Sequence, residues 1–178
     1  MLSRNFFSNW TKLPVPAAAF FIAAVAALTI VSSETMAKAE CVPVNGHIDS
    51  QQVLPPPFGT CTSPVGLCTS GTFIGGIQGN FNFTATSFIP SPEPTIPSVF
   101  LFTGLTVIQT KDGDSLFGSN AGAIDFNPFG DGHFADLITF TGGTGSLAGA
   151  SGHIVAFGNV NFATGVSTSD YKGELCTP

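Results

Sequence analysis

Residues 139–155 read Thr-Phe-Thr-Gly-Gly-Thr-Gly-Ser-Leu-Ala-Gly-Ala-Ser-Gly-His-Ile-Val. The run Gly-Gly-Thr-Gly at 142–145 permits a sharp reversal of the chain, because glycine adopts positive φ angles without a steric cost. The two later glycines, Gly149 and Gly152, are typical of a bulge or of a close approach between backbones. The stretch therefore predicts two strands joined by a glycine-rich connection.

A similar pattern of apolar runs and glycine-rich turns extends in both directions from this stretch. Runs rich in Phe, Val, Ile and Thr alternate with glycine-rich turns, and they predict strands at 72–77, 79–89, 98–110, 115–127, 133–141, 152–162 and 166–175. The pair Asp112-Gly113 is typical of a tight hairpin turn. No window of helical length shows a 3.6-residue apolar period, so we expect little helix.

Seven or eight short strands joined by hairpins form either a sandwich or an up-and-down barrel. A barrel removes the exposed edges through which a neutral, phenylalanine-rich sheet would otherwise aggregate. We therefore predict an all-β fold, an antiparallel up-and-down barrel of about eight strands.

The first 39 residues have the pattern of an export signal. Arg4 and Lys12 precede an apolar run at 17–31, and Ala37-Lys38-Ala39 supplies a small-x-small cleavage pattern. The run is shorter than the ~20 residues that span a bilayer, so we expect no stable membrane anchor after processing. This predicts a secreted or periplasmic protein with a signal peptide at 1–39, an irregular Pro- and Cys-rich segment at 40–71 and the barrel domain at 72–178.

All four cysteines follow the predicted leader. An even count in an exported domain indicates two disulfides, for which three connectivities are possible. We favour Cys61–Cys68 as a local bridge and Cys41–Cys176 as a bridge between the two ends.

Charge excludes several classes of function. After the leader, ten acidic residues face only Lys111 and Lys172, and no arginine is present. A nucleic-acid binder needs cations to neutralise phosphates. A dedicated phosphate or carboxylate site favours the bidentate guanidinium that is missing here.

Parity along the predicted strands singles out one carboxylate. In 133–141, Asp136 shares a face with Phe134, Ile138 and Phe140. A buried carboxylate needs a partner or acquires a raised pKa, so Asp136 is a candidate general acid or base. The alternatives are an exposed edge strand, or a structural role in which Asp136 accepts backbone N–H bonds.

Two further residues are candidates for the same chemistry. The single tyrosine, Tyr171, can present its hydroxyl to a ligand, although such a residue more often packs with its hydroxyl at the rim. Asp125 lies near the end of a predicted strand and is the third candidate catalytic residue. The run Asp131-x-His133-x-x-Asp136 offers metal-ligand types, but strand parity places His133 and Asp136 on opposite faces. We predict no metal and no cofactor.

The strand at 98–110 is apolar on both faces. Phe100, Phe102 and Ile108 alternate with Leu101, Leu105 and Val107. A strand with two apolar faces lies between the core and another apolar surface. This predicts a homo-oligomer.

The glycine-rich stretch also carries a family resemblance. A strand, Gly-Gly-Thr-Gly, an apolar residue, Ala-x-Gly and a second strand resemble dirigent-like and allene oxide cyclase-like barrels, especially small exported bacterial ones. The motif residues are Gly142, Gly143, Thr144, Gly145, Gly149 and Gly152. The last strand, with Tyr-Lys-Gly-Glu-Leu at 171–175, is similar to the closing strand of that group. The resemblance implies an eight-stranded barrel with a central cavity, often trimeric, that handles small apolar or phenolic molecules.

Two functions follow as expectations. The first is a binding or structural module that holds a small apolar ligand. The alternative is a cyclase- or isomerase-like enzyme that confines a reactive small molecule, with one carboxylate assisting. An open pocket in which Asp136, Asp125 or Tyr171 converge favours the enzyme, and a filled core around Asp136 excludes it.

Overall fold

The structure, a computed structural model, describes residues 40–127 and 129–178. The predicted signal peptide at 1–39 lies outside the described residues. Eight strands follow one another along the chain: β1 (Glu40–Val53), β2 (Cys68–Gly75), β3 (Gly79–Pro90), β4 (Val99–Thr110), β5 (Ser115–Asp125), β6 (Asp131–Gly143), β7 (Ser151–Asn161) and β8 (Val166–Thr177).

The strands form a closed antiparallel barrel in which each strand pairs with its neighbours in sequence. β1 pairs with β8 over the whole length from Glu40↔Thr177 to Gln51↔Val166, which closes the sheet on itself. The predicted all-β up-and-down barrel is confirmed. The helical structure of the described residues is a single 3-10 turn at Gly145–Leu147, and none of it is long and apolar enough to cross a membrane.

The predicted irregular segment at 40–71 is wrong for much of its length. Residues 40–53 form β1, which is a full member of the barrel, and β2 begins at Cys68. Only 54–67 is irregular. The inward positions of β1 include Val44 and Ile48 but also Gly46 and Ser50, so the strand lacks the apolar alternation by which the other strands were recognised.

The glycine-rich stretch forms the β6–β7 connection. Gly142, Gly145, Gly149 and Gly152 all have positive φ angles, from 55° at Gly145 to 140° at Gly142. Residues other than glycine are rarely stable in this region. The chain reverses through the 3-10 turn, and Asp114 of the neighbouring hairpin accepts hydrogen bonds from the backbone N–H and the hydroxyl of Ser146.

The two ends of the barrel differ in packing. The closed end holds the turns at 76–78, 111–114 and 144–150, and apolar side chains fill it: Val44, Ile77, Ile108, Leu116, Phe140, Ala150 and Tyr171. The open end holds the loops that join β1 to β2, β3 to β4, β5 to β6 and β7 to β8.

Both predicted disulfides are present. Cys41 and Cys176 join the first and last strands, and Cys61 bonds to Cys68 at the start of β2. Disulfides persist in oxidising compartments, so two of them in a small barrel indicate an extracytoplasmic protein.

Candidate functional site

A cavity of about 250 Å³ occupies the half of the barrel nearest the open end. Its walls are mostly apolar, and eight phenylalanine side chains contribute to them: Phe73, Phe81, Phe83, Phe88, Phe102, Phe126, Phe134 and Phe162. The barrel is therefore hollow at one end and filled at the other. Largely apolar cavities with few polar groups are the usual form of small-molecule sites.

Inward-facing glycines make room for the aromatic rings. A Cβ atom at Gly104 would overlap the ring of Phe83, and one at Gly122 would overlap the ring of Phe102. Each ring therefore lies over bare backbone on a neighbouring strand. The two phenylalanines also pack edge to face on each other, with ring centroids 5.9 Å apart.

A second aromatic group lies at the open end. Phe88 stacks on Phe100 at 4.8 Å between ring centroids, Phe100 meets Phe126 at 5.5 Å, and Phe126 meets Phe162 at 4.7 Å. Three of the four also line the cavity. One side of the open end is thus bordered by connected aromatic rings.

A chain of three polar side chains crosses the cavity wall from β4 to β6. The hydroxyl of Thr106 donates a hydrogen bond to Oδ1 of Asn120 at 2.8 Å, and Nδ2 of Asn120 donates to Oδ2 of Asp136 at 2.6 Å. All three residues are buried and line the cavity. Thr106 orients the amide of Asn120 so that its N–H₂ group faces the carboxylate.

The other oxygen of Asp136 has no partner. Among the buried side-chain oxygens and nitrogens of the described residues, Oδ1 of Asp136 alone lacks a hydrogen bond. Burial raises the pKa of Asp136 to about 6, and the hydrogen bond from Asn120 opposes this rise. The aspartate is therefore a buried acceptor that is incompletely satisfied by the protein.

The cavity offers no positive charge to this carboxylate. None of the described residues that line it is lysine, arginine or histidine. Lys111 bonds to Gln78 at the closed end, and Lys172 lies over the ring of Phe157 at 6.0 Å. An anionic ligand would meet Asp136 without a compensating cation, which is unfavourable in an apolar environment.

Two solved structures are similar to this chain, and both are pterocarpan synthase dirigent proteins. GePTS1 has 14% sequence identity and a TM-score of 0.42, over 79% of this chain and 93% of that chain. PsPTS1 has 13% identity and a TM-score of 0.31, over 78% of this chain and 97% of that chain. The chain is similar in structure to dirigent proteins. No family model and no curated protein matches the sequence.

The three predicted catalytic residues do not converge. Asp136 lines the cavity, whereas Asp125 is exposed at the end of β5 and Tyr171 packs within the closed end. The Tyr171 hydroxyl accepts a hydrogen bond from the backbone N–H of Ile77 at 2.8 Å and donates one to its carbonyl oxygen at 3.1 Å. Its polar group is thus satisfied by the backbone.

Asn120 and Thr106 are site residues that the sequence analysis missed. Alternation along the strands could have identified both residues. Asn120 lies four residues after Leu116 and so shares its face, and Thr106 shares a face with Phe102 and Ile108. The alternation that places Asp136 inside on β6 therefore also places Asn120 and Thr106 inside the barrel.

A second, shallower concavity lies on the outside of β1, β6, β7 and β8. There His47 bonds to Asp170 at 2.9 Å and His133 bonds to Asn159 at 2.6 Å. The Asp170 carboxylate accepts this bond from the imidazole and raises the pKa of His47. Within residues 40–127 and 129–178, no three His, Cys, Asp or Glu side chains cluster as a metal site would require.

Proposed function

We propose that this protein binds one small, uncharged, largely aromatic molecule in the barrel cavity, and that the molecule donates a hydrogen bond to Asp136. The observation that carries the proposal is the unpaired Oδ1 atom of a buried carboxylate in a cavity lined by phenylalanine. A buried acceptor without a partner costs about 1–3 kcal/mol, which a donor group on the ligand recovers.

The residues that line the cavity also disfavour negatively charged groups on the ligand. A carboxylate or phosphate on the ligand would be repelled by Asp136, and no lining lysine or arginine would compensate for it. Aromatic rings in the ligand, in contrast, meet edges and faces of phenylalanine on several strands. A hydroxylated aromatic compound satisfies both conditions.

Three naphthalene derivatives of similar size test the proposal. 1-Naphthol has a donor, 1-methoxynaphthalene has none, and 1-naphthoate is an anion. We expect calorimetric titration to give about tenfold weaker binding for the methoxy compound than for the alcohol, as loss of one hydrogen bond predicts. The anion should bind more weakly than either.

A matched pair of variants locates the binding. Ser169 faces the cavity from β8, whereas its neighbour Thr168 faces outward. Ser169→Leu should abolish binding of 1-naphthol by filling the cavity, and Thr168→Leu should leave it unchanged. Equal binding of the alcohol by both variants, or stronger binding of the naphthoate, would refute the proposal.

A second candidate function is catalysis of a cyclase or isomerase type. It is favoured by the pKa of Asp136, which at about 6 allows the carboxyl group both to give and to accept a proton near neutral pH. The cavity would hold the substrate in a reactive conformation while Asp136 moves the proton.

The two functions differ in the molecule that the protein carries. An enzyme converts its ligand, so small molecules extracted from the wild-type protein and from Asp136→Asn would have different structures. A binding module would yield the same compound from both, with less of it from the variant. Mass spectrometry of the extracts distinguishes the two outcomes.

We also propose that the barrel forms a homo-oligomer through the outward face of β4 to β7. Apolar side chains lie side by side there on four adjacent strands, and all are substantially exposed in the single chain: Leu101, Leu105, Val107, Phe117, Leu137, Val155 and Phe157. Contiguous apolar patches on soluble proteins usually mark interfaces. A trimer accords with the family resemblance of the glycine-rich stretch.

The place of action that we propose is outside the cytoplasm, in secreted or periplasmic form. The leader pattern at 1–39 supports export, and both disulfides support an oxidising destination. Amino-terminal sequencing of the mature protein tests the cleavage, which we expect after Ala39.

A further inference from the structure

The loop between β1 and β2, residues 54–67, occupies a gap in the barrel wall. β2 is shorter than β3, and the pairing of these two strands ends at Cys68↔Thr84. β3 continues to Pro90 and remains paired with β4 on its other side. The loop takes the place that a longer β2 would fill beside Ala85.

Three attachments hold the second half of this loop in the gap. The disulfide joins Cys61 to Cys68, and both cysteines are buried. The backbone N–H of Ala85 donates a hydrogen bond to the carbonyl oxygen of Leu67 at 3.0 Å. The hydroxyl of Ser63 donates to the carbonyl oxygen of Ala85 at 2.7 Å. Both polar groups of one β3 residue are thus bonded to the loop.

The attached half of the loop forms part of the cavity wall. Val65, Gly66 and Leu67 line the cavity, and Leu67 also packs against the core. Val65 is 42% exposed, so the same residue borders both the cavity and the solvent. Residues 61–68 therefore lie between the cavity and water.

The remainder of the loop contributes little to holding it closed. Leu54 is 50% exposed and Phe58 is 84% exposed, and no residue in 54–67 carries a charge. Segments with few buried contacts open at a lower free-energy cost than the rest of the fold. From this half, the carbonyl oxygen of Leu54 accepts a hydrogen bond from the backbone N–H of Cys61 at 3.0 Å. The closed position depends otherwise on the disulfide and on the two bonds to Ala85.

We propose that residues 61–68 act as a cap on the cavity, and that release of this cap from Ala85 is the step by which ligand enters and leaves. The inference rests on the proposed binding function and identifies the segment whose movement admits and releases the ligand. The Cys61–Cys68 bridge limits how far the cap moves, so it sets the exchange rate of the ligand more than its affinity.

Two sets of variants test the cap. Cys61→Ser combined with Cys68→Ser removes the bridge, with Cys41→Ser combined with Cys176→Ser as the control at the closed end. Ser63→Ala removes one bond to Ala85 and leaves both disulfides intact, with its exposed neighbour Thr62→Ala as the control. Stopped-flow fluorescence with 1-naphthol measures association and dissociation rates in each protein.

We expect both rates to rise about tenfold without the Cys61–Cys68 bridge, and by a smaller factor in Ser63→Ala, as loss of one hydrogen bond predicts. The dissociation constant should change less than either rate. The two control proteins should keep the wild-type rates. Wild-type rates in both cap variants would overturn the proposal.

Amide exchange separates failure of the cap from failure of the binding function, because it needs no ligand. In the free protein, the amide of Ala85 should exchange about tenfold faster without the Cys61–Cys68 bridge, since its acceptor on Leu67 is released. Absence of 1-naphthol binding to the wild-type protein would refute the binding function. Unchanged exchange at Ala85 would refute the cap, whatever the binding result.

Discussion

At the scale of single residues, Asp136 makes a contribution to stability that depends on pH. Its folded pKa of about 6 lies above the ordinary aspartate pKa of 3.8, so the folded state binds a proton more tightly than the unfolded chain. The contribution of Asp136 to stability is therefore greatest in acid and falls as the pH rises through the interval between these two values.

The variant Asp136→Asn tests this linkage. We expect the free energy of unfolding of the variant, minus that of the wild type, to be about 2–3 kcal/mol larger at about pH 8 than at about pH 4. Urea titrations at both pH values measure the difference. A difference that does not change with pH would mean that Asp136 is solvated or paired in solution.

Tyr171 serves stability rather than ligand binding. Tyr171→Phe removes the hydroxyl that bonds both backbone groups of Ile77 within the closed end. Leaving those groups without a partner should lower the free energy of unfolding by about 1–3 kcal/mol. Urea unfolding measures this loss, and titration with 1-naphthol should give the wild-type affinity. Normal stability with lost binding would instead place Tyr171 in the site.

Sequence patterns predicted part of the site for an identifiable reason. Alternation along β6 was sufficient to place Asp136 inside, because Phe134, Ile138 and Phe140 mark the inner face of that strand. The pairing of Asp136 with Asn120 depends on the register between β5 and β6, which no local pattern specifies. Local patterns also do not specify that Tyr171 and Asp125 lie away from the cavity.

At the scale of elements, the strands that were predicted from residue 72 onward agree with β2 to β8, with ends that differ by a few residues. β1 was not predicted because its inward face includes glycine and serine in addition to Val44 and Ile48. It is stabilised by pairing with β2 and β8 and by the Cys41–Cys176 bridge, which are long-range features. The glycine-rich stretch was predictable because positive φ angles require a specific residue type.

The two disulfides should contribute unequally to stability. They join cysteines 135 and 7 residues apart in sequence. In the chain-entropy treatment this corresponds to about 5 kcal/mol for Cys41–Cys176 and about 2–3 kcal/mol for Cys61–Cys68. Urea unfolding of the two Cys→Ser double variants measures both losses. A larger loss of unfolding free energy on removal of Cys61–Cys68 would indicate that the cap stabilises the fold more than its exposed contacts suggest.

At the scale of the whole molecule, the barrel has an apolar inner surface and an apolar outer face on the same strands. The inner surface is enclosed, whereas the outer face of β4 to β7 is exposed in the single chain. Burial of such a face stabilises association at ~25 cal/mol per Å² of apolar surface before the cost of association is subtracted. Self-association is therefore expected at working concentrations.

One substitution at the centre of the outer face tests this expectation. Leu137 pairs with Ala121 and Val155 and is 42% exposed. Leu137→Asp should convert the assembly to single chains, because it places an uncompensated charge in the interface. Gln51→Asp, at an exposed position on β1 and outside the proposed interface, is the control. Sedimentation velocity measures both, and a wild-type protein that sediments as a single chain would contradict the proposed oligomer.

We propose above that the cavity beside Asp136 holds a small molecule. Native mass spectrometry of protein purified from its own host tests it most directly, with Ser169→Leu as the cavity-filling variant and Thr168→Leu as its control. We predict one small-molecule adduct per chain in the wild type and in Thr168→Leu, and the bare chain mass in Ser169→Leu. Bare chains in all three proteins, or an adduct that Ser169→Leu retains, would contradict the account.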